Sequence, residues 1–252
     1  MDRLENLKNI IMYLMADEHV SHRIPSSLEE RQRMMRALMN VWSPRPISEA
    51  FLKMQDAELQ MQREDKGVVE VHDEGLTIWQ GDITRLKLDA IVNAANAQAL
   101  GCWAPLHNCI DNCIHSAAGI QLRKECADKM QGRLLATGDA FITQGYNLPA
   151  RYVIHTVGPI IPDGVPTKEQ EEQLAQCYRS CLDLAEHNGL ESIAFCCIST
   201  GVFHFPNRQA ARIAIETVKS YPRHSLKTIV FNVFLDKDRD IYEQLLGACP
   251  MA

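Results

Sequence analysis

Gly101-Cys102-Trp103-Ala104-Pro105-Leu106-His107-Asn108-Cys109-Ile110-Asp111-Asn112-Cys113-Ile114-His115-Ser116-Ala117-Ala118-Gly119 sets two thiols, an imidazole and a carboxylate within the ten residues from Cys102 to Asp111. Cys102, His107 and Cys109 follow a Cys-x4-His-x-Cys spacing, with Pro105 stiffening the loop. Thiolate plus imidazole is the donor mix that Zn(II) favours. Three protein ligands leave one tetrahedral position open, as catalytic zinc sites do, and the chain has no CxxC or HxxxH pair to close a fourth. The spacing is not that of a finger. On spacing alone, two small buried thiols beside a solvated histidine explain it equally well.

The flanks decide what fold the stretch belongs to. Upstream, Asp89-Ala90-Ile91-Val92-Asn93-Ala94-Ala95-Asn96 reads as a strand buried on both faces that runs into two asparagines. Downstream, Ile110, Ile114, Ala117, Ala118 and Leu122 recur at helical spacing and predict one helix over about 108–130. Its N-terminus would face the loop, and free N–H groups there suit a phosphate or a developing anion. Asp111 falls in the first turn, where a carboxylate ordinarily compensates the dipole. His115, one turn later among alanines, reads as packed.

Further out the alternation continues. Strands are expected at 68–71 and 76–79, joined by the turn His72-Asp73-Glu74-Gly75. Gly81-Asp82 follows, where a loop carboxylate and a free N–H can recognise an adenine, or simply form a turn. Strands are also expected at 139–143 and 152–157, with His155 a core histidine, before a helix at 167–187 closed by Asn188-Gly189. A buried strand at 193–198 delivers Ser199-Thr200-Gly201-Val202-Phe203-His204-Phe205-Pro206 at its carboxyl end, where ligands bind in open α/β sheets. Small residues there let amides approach a diphosphate, and a helix at 207–220 starts at once. A strand at 228–234 and a helix at 238–246 close the pattern. It predicts an α/β/α three-layer sandwich with a mixed, largely parallel sheet.

Residues 1–66 read differently, as an α-helical N-terminal extension before an α/β domain at 67–252. Leu4, Leu7, Ile10, Ile11 and Leu14 form one apolar stripe. Ser27-Leu28-Glu29-Glu30 is a capping-box pattern ahead of Met34, Met35, Leu38 and Trp42, and a third helical segment carries Phe51, Leu52, Met54, Leu59 and Met61. The Met-rich stripes are read as packing on the neighbouring domain. A net charge of −6 argues against sequence-independent nucleic-acid binding, which needs a basic face. Nine cysteines without a disulfide framework, and a start lacking a signal-peptide pattern, lead us to expect a cytoplasmic protein. No apolar run approaches the ~20 residues that span a bilayer, so no membrane partner is expected.

Gly81-Asp82-Ile83-Thr84, Asn93-Ala94-Ala95-Asn96, the Cys109 to Gly119 run and Ser199 to Pro206 together resemble a macrodomain, the ADP-ribose-binding fold, over about residues 68–246. Ordinary macrodomain hydrolases carry a glycine-rich loop where this chain has Cys102 to Cys109. That departure resembles the zinc-containing branch, which implies one Zn(II) per chain on Cys102, His107 and Cys109. The resemblance further implies ADP-ribose contacts from Asp82, Ile83, Asn93, Asn96, Cys109, Ile110, Asp111 and Asn112. It assigns Ser199, Thr200, Gly201, Val202 and Phe203 to the diphosphate, with Phe203 also packing on the distal ribose. His204 replaces a glycine usual in ordinary macrodomains. Asp111 and Asn96 are the implied catalytic residues, Asp111 orienting a water and Asn96 holding the distal ribose.

A protein that only reads ADP-ribose has no need of an open metal position beside a first-turn carboxylate, so hydrolysis is the expected function. The expected substrate is a mono-ADP-ribosylated protein, modified on an acidic side chain. Resemblance to the zinc branch implies a sirtuin-type ADP-ribosyltransferase as the opposing enzyme and a lipoyl-carrier protein as substrate. Zinc would either lower the pKa of a bound water or polarise a ribose oxygen. The alternatives are a non-catalytic ADP-ribose reader with structural zinc and an O-acetyl-ADP-ribose deacetylase.

Overall fold

Serine side chains start two of the first three helices in the computed structural model, which describes residues 2–247; the end of the expected second domain, 248–252, lies outside the described residues. α1 is Arg3–Asp17, α2 is Leu28–Val41 and α3 is Glu49–Lys66. Ser27 accepts from Glu30 N ahead of α2, and Ser48 from Phe51 N ahead of α3, each satisfying an amide that the helix leaves free. The apolar stripes bury Leu7, Ile10, Ile11, Leu14, Met35, Trp42 and Phe51 in a core of their own, which Ile120 of the following domain joins.

The α/β domain is built on a six-stranded sheet. Its strands are β2 (Gly75–Gln80), β4 (Ala90–Ala94), β5 (Ala140–Gln144), β6 (Tyr152–Thr156), β7 (Ser192–Phe195) and β8 (Thr228–Val233). The order is β2-β8-β7-β4-β6-β5, with β5–β6 the antiparallel pair and the other pairs parallel. The helices are α4 (Ile110–Ala118), α5 (Ile120–Met130), α6 (Lys168–His187), α7 (Asn207–Ser220) and α8 (Asp236–Leu246). Their apolar faces and the continuous apolar strands, such as β8 and Ile91-Val92, form the main core. Parallel pairing brings the carboxyl ends of β2, β4, β6, β7 and β8 to one edge, and this edge carries the site.

Two local expectations fail for visible reasons. The strand at Val69–Glu70 (β1) forms no hairpin with β2; it pairs in parallel with a short strand at Leu86–Lys87 (β3), while Gly75 N donates to Lys227 O and starts β2 against β8. The single helix expected over 108–130 is two helices, broken at Gly119 with φ 104. A Cβ at Gly119 would stand 2.7 Å from Gln55 Nε2, because α3 docks there and Gln55 Oε1 accepts from Ile120 N. The extension therefore shapes the domain it packs on. The eight cysteines among the described residues are free thiols, and no helix among them is long and apolar enough to cross a membrane.

Candidate active site and metal centre

β4 ends beside the first turn of α4, and this crossing fixes the carboxylate. Asn93 Nδ2 donates to Asp111 Oδ1 at 2.8 Å, and Asn96 Nδ2 donates to Asp111 Oδ2 at 3.4 Å and to Gly101 O at 3.3 Å. Asp111 is buried, which pushes its carboxyl up to about 6; the Asn93 hydrogen bond and the nearby Arg123 charge pull the other way without cancelling that. A carboxylate tuned toward neutrality is suited to taking a proton.

His115 Nε2 stands 3.6 Å from Asp111 Oδ1, too far for a hydrogen bond, and both ring nitrogens lack a partner. Burial, reinforced by His155 and Arg123, holds the imidazole neutral, so the contact is not an ion pair. His155 is buried in the strand as expected, and its pKa falls to about 3 through burial. Its Nδ1 lies 3.1 Å from Asn93 Nδ2 and its Nε2 lies 2.9 Å from Thr143 Oγ1. Because the Asn93 amide nitrogen can only donate, Nδ1 accepts and the ring proton sits on Nε2.

The loop before α4 brings the expected metal ligands together. Cys102 Sγ lies 3.7 Å from His107 Nδ1, and the donor atoms of Cys102, His107 and Cys109 all fall within 4.8 Å of one another. At Zn–S ~2.3 Å and Zn–N ~2.0 Å, two tetrahedral ligands stand about 3.6 Å apart, so this donor set fits zinc. Cys109 also caps α4, accepting from Asn112 N at 3.4 Å. Burial pushes its thiol up to about 12, with Cys102 and Asp111 adding to the rise against the Asn112 amide. A dication is the partner that would stabilise the thiolate there. His115, Cys126 and His155 form a second cluster of possible donors. Both His155 nitrogens are already engaged, and that group reads as packed core.

After β7 the chain turns through left-handed backbone at Ser199, φ 65, and His204, φ 58. Such angles cost a non-glycine residue energy, so a glycine would fit more easily at 204. Phe205 N donates to Ser199 O and His204 N to Gly201 O, closing the loop. Among the described residues, the amides of Gly201, Val202 and Phe203 find no acceptor, and Gly201 and Val202 are exposed, which leaves these N–H groups free to meet an anion.

The remaining expected residues divide. Ile83 is buried beneath the sheet edge. Asp82 Oδ1 accepts from Thr84 N and Oγ1, and Oδ2 from Lys66 Nζ at 3.3 Å. Burial alone would raise its pKa, but these donors outweigh it and hold the carboxylate below its usual range. Ile110 opens α4, half-buried, one residue before Asp111. The Asn112 side chain is turned to the loop of the three candidate donors: it donates to Ala104 O and accepts from Arg36 and Ser116. Sequence reasoning missed Phe234 and Leu235, which are 70% and 56% exposed directly after β8, where Gly81 N donates to Val233 O. Such a pair at the carboxyl end of a strand offers apolar surface to a ligand, but in sequence it looks like the end of a core strand. It also missed Arg36, Asn40 and Arg123 around the loop from Cys102 to Cys109. A cavity of about 490 Å³ lies beside these contacts, between the extension and the α/β domain, lined by Arg36, Leu59, Lys66, Asp82, Leu106 and Cys113 among others.

A family model described as Macro domain matches residues 92–214. A protein named protein-ADP-ribose hydrolase from Staphylococcus aureus (strain MSSA476) is 46% identical over 259 residues, covering 97% of each chain. The chain belongs to the macrodomain family. Another relative, from Fusarium oxysporum f. sp. cubense, is named a probable bifunctional ADP-ribose hydrolase/ADP-ribosyltransferase; it is 45% identical over 196 residues, 73% of this chain and 32% of that one. The solved Trypanosoma brucei macrodomain in complex with ADP-ribose superposes with a TM-score of 0.64 at 32% identity, over 84% of this chain and 95% of that one.

Proposed function

We propose that this protein is a zinc-dependent hydrolase that removes mono-ADP-ribose from acidic side chains of modified proteins. The observation that carries the reading is Asp111: a buried carboxylate held up to about 6, at a helix N-terminus, two residues from the last of three converging metal donors. The hydrolase names of its relatives and the ADP-ribose bound to the trypanosomal macrodomain support it.

ADP-ribose would lie along the sheet edge. Phe234 and Leu235 offer an apolar wall for the adenine beside Asp82 and Ile83, and the amides of residues 201–203 meet the diphosphate. Asn96 reaches the distal ribose, and Asp111 takes the proton of the attacking water. Zinc on Cys102, His107 and Cys109 would supply Lewis acidity, either to a bound water or to a ribose oxygen. A carboxylate leaving group departs as a stable anion and needs no general acid. That matches a site whose two buried histidines are held neutral. The fused hydrolase/transferase relative supports pairing with an ADP-ribosyltransferase. A sirtuin-type transferase and a lipoyl-carrier substrate extend that reading.

The test is to incubate metal-loaded protein with a glutamate-linked mono-ADP-ribosylated protein and, separately, with O-acetyl-ADP-ribose. Release of ADP-ribose from the protein supports the proposal. Cleavage of the acetyl ester alone makes it a small-molecule esterase, and binding without release makes it a reader.

A further inference from the structure

We infer that the N-terminal extension completes the metal centre: Arg36 and Asn40 of α2, with Arg123 of α5, are positioning residues for the loop that carries the three metal ligands. This rests on the zinc reading above. Residues 101–109 contain no helix or strand, and most of them are exposed or half-buried. Within the loop, His107 N donates to Ala104 O, and Leu106 sits at φ 60, a left-handed conformation that a leucine holds only when its surroundings impose it. The loop's shape must come from outside.

It comes from α2. Asn40 Oδ1 accepts from Leu106 N at 2.9 Å, fixing the strained residue, and Arg36 Nη2 donates to His107 O at 2.8 Å. The same Arg36 nitrogen donates to Asn112 Oδ1 at 2.9 Å, and Asn112 Nδ2 in turn holds Ala104 O at 2.9 Å. Arg123 closes the arrangement from α5. Its Nη2 donates to Cys102 O at 3.3 Å, and its Nη1 takes the carbonyls of Met39, Asn40 and Trp42 at 3.3, 2.8 and 2.9 Å, where α2 ends. The guanidinium lies 4.1 Å over the Trp103 ring. One buried arginine therefore ties the C-terminus of an extension helix to the backbone of a ligand residue. Carbonyls of Cys102 and His107, and the amide next to His107, are all fixed by this set.

Preorganising a three-ligand site lowers the ordering cost of binding the ion, and partners behind metal ligands typically contribute 10- to 100-fold in affinity. We expect full-length Asn40→Ala and Arg36→Met proteins to bind zinc 10- to 100-fold more weakly in competition with a chromophoric chelator. Their cobalt-substituted forms should show weakened tetrahedral d–d bands. Asn40→Asp, which keeps the acceptor for Leu106 N, should recover most of the affinity. ADP-ribose affinity of the metal-free variants should stay within about twofold of the parent, which also reports that they are folded. Parent-like zinc affinity and cobalt spectra in both Asn40→Ala and Arg36→Met overturn the inference. A parent protein that binds no zinc sinks the metal reading itself, a result distinct from a zinc-binding parent with indifferent variants.

Discussion

The Asn93 amide donates to Asp111 Oδ1 at 2.8 Å, and its second N–H points to His155 Nδ1 at 3.1 Å. The carboxylate thereby fixes which way the amide faces, since a flipped Asn93 would set its oxygen against it, and the amide in turn sets the tautomer of His155. Asn93 is one of the groups that draw the Asp111 pKa down against burial. Asn93→Ala should therefore raise it further and move the acid limb of the pH–rate profile to higher pH. Single-turnover release measured between pH 5 and 8 reads this directly, and an unmoved or acid-shifted limb contradicts it.

Stability of the metal-free protein should carry the signature of the same carboxylate. Its pKa rises from 3.8 to about 6 on folding, so between those values the folded state holds a proton that the unfolded state has released. The group subtracts from stability as pH rises through that window, and the full cost remains above it. Asp111→Asn removes the cost, so the variant should be more stable than the parent at pH 7 by up to about 3 kcal/mol. The gap should close between pH 6 and 4. His155 works with the opposite sign in both proteins: its pKa falls from 6.5 to about 3 on folding, so stability drops as pH falls below 6.5. Urea unfolding of both proteins at several pH values isolates the difference, and a constant gap would mean Asp111 is ionised throughout.

The α/β alternation was legible because each buried strand is short, apolar and followed by a helix of the right period, and the Cys102–His107–Cys109 grouping because three soft donors lie close in sequence. The break at Gly119 was not legible. A Cβ there would meet Gln121 Oε1 at 2.5 Å and Gln55 Nε2 at 2.7 Å, and nothing within residues 108–130 announces the second, more than fifty positions away. Arg123 was hidden for the same reason: beside Leu122 it looks like the solvated edge of a helix, and its four carbonyl partners belong to other segments. Long-range packing decides such residues, whereas the three candidate donors stand within eight residues of one another.

Purified protein should contain about one zinc per chain, and Cys102→Ser and Cys109→Ser should each lose most of it, since a hydroxyl is a poor substitute for thiolate at a tetrahedral site. Elemental analysis after dialysis is the measurement. Full retention by both variants would remove these cysteines as ligands.

Ligand affinities should rank ADP-ribose above ADP above AMP. In the proposed binding mode separate elements would meet the adenine side at Asp82, the diphosphate at the free amides of residues 201–203, and the distal ribose at Asn96 beside Asp111. Calorimetry against the three ligands tests the division. AMP binding as tightly as ADP-ribose would show that the distal half of this edge makes no contact.

Asp111→Ala separates an enzyme from a reader. If Asp111 takes the proton of the attacking water, its loss should lower turnover by roughly 10²- to 10⁴-fold, the usual worth of a positioned acid–base group, while ADP-ribose affinity changes far less. The reason is that the carboxylate favours the transition state over bound substrate, so removing it acts on the chemical step. Chelating the zinc should act in the same direction on turnover. A first-turn aspartate that only compensates the helix dipole would behave differently, costing about 0.3–1 kcal/mol of stability and little activity. The geometry adds more than that role requires, because this carboxylate is 4% exposed and held by two asparagines. Single-turnover release of ADP-ribose, with binding followed in parallel, distinguishes the two. Near-normal release by folded Asp111→Ala protein takes the residue out of the mechanism, and binding without release by the zinc-loaded parent makes the protein a reader.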